Sequence, residues 1–132
     1  MNTSFVINVS YSQIAVFSPD LENPFNDWTD RDVEVGYAWR PESVSFATDE
    51  DDDHEVRIVI GSSLPERNEL AIRSCEVPLR VSSINEVEVA SIADSKLFDL
   101  AEGDYTVRFE LIPVQTNEMP VVILSFCPRT ED

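Results

Sequence analysis

The chain has 132 residues, with 26 acidic side chains against nine lysines and arginines, a net charge of −17 and a pI near 4.1. That balance excludes a surface for nucleic acid or anionic lipid, which needs clustered basic residues to displace counterions; Lys96 is the single lysine and the eight arginines are scattered. An apolar fraction of 42% is ordinary for a globular chain and too high for a disordered acidic tail, and the length suffices for one domain over 1–132 without metals or disulfides.

Period-two alternation dominates and marks half-buried strands. Phe5, Ile7, Val9 and Tyr11 share one face, and residues 13–17 form a short strand. Residues 18–26 contain two prolines and no periodicity and read as a loop. Asp27–Gly36 predicts a short helix, with Thr29 as its cap, Asp30 and Asp32 at the positive end of its dipole and Gly36 as its stop. Tyr37 and Trp39 then fall at the helix exit. Residues 44–47 make another strand, whereas the acid run Asp49–Asp53 cannot lie in a central strand and predicts a hairpin tip or inter-strand loop.

Val56, Ile58 and Ile60 alternate next, followed by candidates at 69–73, at Val77, Leu79 and Val81, at Val87 and Val89, and at 96–100. Leu100, Gly103 and Tyr105 match the L-x-x-G-x-Y pattern of a tyrosine corner, in which the Tyr105 hydroxyl bonds back to the backbone. A plain hairpin with a buried tyrosine is the alternative. Tyr105, Val107, Phe109 and Leu111 form the longest stripe, and 120–127 closes the series. The expectation is an all-β fold, an antiparallel β-sandwich of about eight or nine strands with one short helix.

Cys75 and Cys127 are far apart in sequence and form no metal-like motif; two reduced, buried thiols are expected, with a disulfide as the alternative that the size of the chain does not demand. No basic-then-apolar leader opens the chain, and the longest apolar run near its end is Val121–Leu124, so a cytoplasmic protein without membrane insertion is expected. Asp49, Asp51 and Asp53 match the first acidic positions of a calcium loop, but His54 stands where its glycine belongs and Ile60 where its closing glutamate belongs. His54, the sole histidine, reads as an exposed spacer. No G-x-S-x-G elbow occurs and neither cysteine has a second histidine to activate it. A non-enzyme without cofactor or metal is therefore expected; a calcium- or carbohydrate-binding sandwich is the runner-up, and a hydrolase with an Asp/Glu pair comes last.

Charge placement points to a protein partner. Residues 20–55 hold 13 of the 26 acidic side chains against Arg31 and Arg40. Such self-repulsion is relieved when a cationic surface approaches. The candidate contact residues are Asp27, Asp30, Asp32 and Glu34, with Trp28 supporting the segment, and a second patch of Asp49, Glu50, Asp51, Asp52 and Asp53. Asp27, Trp28 and Asp30, with Tyr37 and Trp39 close behind, combine the acids and aromatics that dominate interfaces.

Several stretches carry a resemblance: Val9-Ser10-Tyr11-Ser12-Gln13 through Val16-Phe17, Asp27-Trp28-Thr29-Asp30, Gly36-Tyr37-Ala38, Ser45-Phe46, Phe98-Asp99-Leu100 and Gly103-Asp104-Tyr105. In this order and spacing they resemble the competence protein J (ComJ) family over most of residues 8–110. The stretch after Ile112 matches poorly, and Asp49–Asp53 lies outside the pattern. The resemblance implies a nuclease inhibitor that acts by direct complex formation, either a transformation inhibitor or a toxin immunity protein. From the residues comes a mode: carboxylates at phosphate-like positions in a cationic nuclease cleft, a DNA mimic.

Overall fold

The computed structural model describes residues 2–115 and 118–129. Among them are ten strands, β1 (Asn2–Val9), β2 (Gln13–Phe17), β3 (Tyr37–Arg40), β4 (Ser43–Ala47), β5 (Asp52–Ile60), β6 (Arg73–Val81), β7 (Glu86–Ala90), β8 (Ser95–Asp99), β9 (Gly103–Ile112) and β10 (Val121–Pro128), and one helix, α1 (Asp30–Val35). They form two five-stranded sheets, β1-β5-β10-β9-β6 and β3-β4-β2-β7-β8. The alternating residues of the sequence meet between the sheets: Ile7, Val9, Val56, Ile58, Val107, Phe109, Val122 and Leu124 from one, Ile14, Val16, Val44, Phe46, Val87 and Val89 from the other. Phe46 stacks on Phe109 across this core at 4.6 Å and 8°, and burial of each such ring contributes about 1.5–3 kcal/mol.

The fold is the all-β sandwich expected, with four local differences. First, β5 and β10 pair in parallel, whereas the other strand pairs are antiparallel. The last strand closes the gap between β5 and β9, and its antiparallel pairing with β9 sets its direction. Second, Tyr37 and Trp39 belong to a strand, pairing with Phe46 and Val44, and do not continue a helix exit. Gly36 at φ +94° ends the helix abruptly enough for pairing to start at the next residue. Third, only Arg73 of the 69–73 candidate joins a strand. Asn68 Oδ1 accepts from the Leu70 amide at 2.9 Å, turning the chain where a strand was predicted. Fourth, Asp52 and Asp53 extend β5, opposite Val9 and Asn8 of β1, so the acidic loop is shorter than its run.

The tyrosine corner is present: the Tyr105 hydroxyl donates to the Ala101 carbonyl at 2.7 Å, next to Gly103 at φ +151°. Exposed sheet edges invite aggregation, and here each is stitched to the opposite sheet. Trp39 Nε1 donates to the Pro78 carbonyl at 2.6 Å and the Arg80 amide to Pro41 at 2.7 Å, joining β3 to β6. At the other side the Asn8 amide donates to Asp94 Oδ2 at 2.9 Å and Ser91 Oγ to the Asn8 carbonyl.

The β5–β6 connection, residues 61–72, crosses the outer face of the first sheet. Arg108 Nη1 donates to the Pro65 carbonyl at 2.6 Å and the Asn68 amide to Glu110 Oε2 at 2.7 Å. Glu110, only 1% exposed, lies 3.9 Å from Arg108 Nη1, and Arg108 Nε reaches Glu76 at 3.1 Å. These groups pin a strap that the alternation of β9 alone does not reveal.

Candidate functional site

Helix α1 forms for the local reasons its sequence suggests. The Thr29 side chain accepts from the Asp32 amide at 3.1 Å, and Asp32 Oδ2 accepts from the Thr29 amide at 3.0 Å, a reciprocal capping box. Six residues cannot sustain a helix alone, so tertiary contacts anchor it. Trp28, half-buried, donates from Nε1 to Gln13 Oε1 at 3.0 Å. The Gly36 carbonyl accepts from the Ala47 amide at 2.9 Å. Asp27, Asp30 and Glu34 are exposed and make no ion pair or hydrogen bond from their side chains among the described residues, whereas Asp32 is half-buried and used by the cap.

The acidic loop lies at the same end of the sandwich. Asp49 pairs with Arg73 at 3.1 Å, and the Arg73 guanidinium also packs against Gly36 at the helix end. Asp51 Oδ1 accepts from the Ser12 amide at 2.7 Å and from Ser12 Oγ at 3.2 Å. Asp53 Oδ1 accepts from Asn8 Nδ2 at 3.0 Å. Asp52, at φ +94°, accepts the Asp53 amide on its own carboxylate at 2.9 Å. Glu50 is exposed without such a partner among the described residues. The structure thus brings the two predicted patches together but gives the acids unequal parts. Asp27, Asp30, Glu34 and Glu50 are available for contact; Asp32, Asp49, Asp51, Asp52 and Asp53 also shape the backbone.

Tyr11 was hidden from sequence reasoning. Period two extends the β1 stripe to it, yet β1 stops at Val9 and Tyr11 stands at the tip of the β1–β2 turn, 75% exposed. With Trp28 and Val33 it lines a shallow surface depression between the helix and the acidic loop. The missing signal was a turn residue: neither Gly nor Asn occupies positions 10–13.

His54 corrects another expectation. It is fully buried, not an exposed spacer, because its position in β5 shares the inward face of Val56 and Ile58. Nδ1 lies 3.0 Å from the Asp52 carbonyl. Asp49, Asp51 and Asp53 turn to different partners, and no group of three potential metal ligands converges among the described residues. Cys75 and Cys127 are free and only partly buried; burial pushes the Cys75 thiol up to about 11. The depression at Trp39 is a separate feature, lined by Asp27 and Asp32, in which Arg40 is held by Asn26 Oδ1 at 2.6 Å and the Asn23 carbonyl at 2.6 Å.

Fold and site together define a small acidic β-sandwich whose single histidine is walled into the core. The chain belongs to the competence protein J (ComJ) family, whose sequence profile matches residues 6–127 and so reaches past Ile112. It is 30% identical over 114 residues to the DNA-entry nuclease inhibitor of Bacillus subtilis (strain 168), covering 86% of this chain and 84% of that protein. The crystal structure of ComJ from Bacillus subtilis, an inhibitor of the DNA degrading activity of NucA, is similar with a TM-score of 0.85 at 26% identity over 96% of each chain. The structure of crocagin biosynthetic gene J has a TM-score of 0.72 at 16% identity over 98% of each chain, a likeness of fold alone.

Proposed function

We propose that this protein inhibits a DNA-degrading nuclease by binding it directly, with the carboxylates of α1 and of the β4–β5 loop standing where DNA phosphates sit in a cationic cleft. The observation that carries this reading is the meeting of two separate acidic segments at one end of the sandwich. Asp27, Asp30, Glu34 and Glu50 are the contacting carboxylates; Trp28 anchors the helix that presents them; Asp32, Asp49, Asp51, Asp52 and Asp53 add field while holding the backbone. Family membership and the inhibitor names of the Bacillus subtilis relatives support the nuclease as partner.

The test is charge reversal at the uncommitted positions. Asp27→Lys with Glu34→Lys should weaken nuclease inhibition by about ten-fold or more while the melting temperature stays near wild type, since both positions are exposed and a lysine suits the last turn of the helix. Asp30 and Asp32 are left intact because they complement the positive end of α1 and Asp32 closes its cap. Unchanged inhibition would remove these carboxylates from the interface.

A further inference from the structure

The β1–β2 turn is built at a steric cost that the fold does not explain. Tyr11 and Ser12 both adopt left-handed backbone, φ +57° and +49°, beside a bridge from Ser10 to Gln13. Tight hairpin turns of this hand favour Asn-Gly, and a bulky residue there is an outlier. The surroundings enforce the conformation: Asp51 holds the Ser12 amide and hydroxyl, and the Thr48 amide donates to the Ser12 carbonyl at 2.8 Å. Little is returned in packing, because Tyr11 is three-quarters exposed. Strained positions held this firmly concentrate at binding sites.

We propose that Tyr11 is the anchor of the interface and takes a basic side chain of the nuclease, the cation over the Tyr11 ring and its aliphatic stem against Val33 and Trp28. This rests on the nuclease-inhibitor reading. Charge complementarity selects the occupant: Asp51 touches the turn, Glu50 adjoins Thr48 on the wall of the depression, and Asp30 lies one helical turn before Val33. An exposed aromatic side chain beside acidic segments suits an arginine, which stacks while the surrounding charge favours its approach. Asp51 is then a positioning residue for Tyr11 and not a phosphate substitute.

The experiment titrates Bacillus subtilis NucA with wild type, Tyr11→Phe and the double variant Tyr11→Asn/Ser12→Gly, and records a thermal melt of each. Tyr11→Phe should inhibit within about two-fold of wild type, because the ring remains. The double variant relieves the turn, so it should melt at or above wild type and yet inhibit about ten-fold less or worse. Undiminished inhibition by the double variant overturns the anchor and leaves the inhibitor reading standing. Loss of inhibition in Tyr11→Phe overturns the ring as the contact. Should the double variant melt lower, Tyr11→Ala decides: full inhibition at a native melting temperature overturns the anchor, and a ten-fold loss there supports it. Wild type that leaves NucA active overturns both readings.

Discussion

Cys75 packs against the core from β6, and desolvation there, only partly offset by Arg73, raises its thiol from an ordinary 9.0 to about 11. The folded protein therefore keeps a proton that the unfolded chain releases from pH 9 upward. Stability present below that pH is lost as pH climbs toward 11, by an amount on the order of 2 kcal/mol. Urea midpoints measured from pH 8 to 11 should fall in wild type and fall less in Cys75→Ala. A residual slope stays with Tyr105, whose hydroxyl burial pushes upward in the same sense. Equal slopes in the two proteins would mean that the thiol is hydrated. His54 is buried for a reason its sequence neighbours conceal: the adjacent acids suggest solvent, but strand register points it inward, opposite Ile7 of β1.

At the level of elements, α1 was legible and the strap was not. Thr29, Asp32 and Gly36 are local signals, each acting within three or four residues of itself, and they form the cap and stop seen here. The strap over β9 depends on Pro65 and Asn68 meeting Arg108 and Glu110, more than forty positions later. No periodicity encodes such a pairing; alternation in β9 says only that Glu110 faces away from the apolar stripe. Glu110→Ala would leave the Asn68 amide without its acceptor and Arg108 with one fewer carboxylate. We expect a destabilisation of about 1–3 kcal/mol and faster tryptic cleavage after Arg67, which lies in the strap. Unaltered cleavage kinetics would show that the strap is held by other contacts.

For the whole molecule the governing quantity is a net charge of −17 and where the fold places it. Long-range attraction to a cationic enzyme acts mainly on association, and salt screens it over about 8–10 Å. Inhibition should therefore weaken as ionic strength rises from about 0.05 to 0.5 M, with most of the change in the association rate. An affinity that holds constant across that range would sink electrostatic mimicry while leaving inhibition itself intact.

By itself the sequence determined the class of fold, the helix with its cap and the family, because alternation, capping and turn residues act over a few positions and survive without knowledge of the partner strand; the tyrosine corner it offered beside a plain hairpin, and the fold chose the corner. Tertiary structure alone decided which carboxylates are available, that His54 is enclosed, and that Tyr11 leaves its stripe to stand beside Trp28. Those properties depend on segments tens of residues apart being brought side by side, and contact between distant segments, unlike periodicity, is written only in the folded chain.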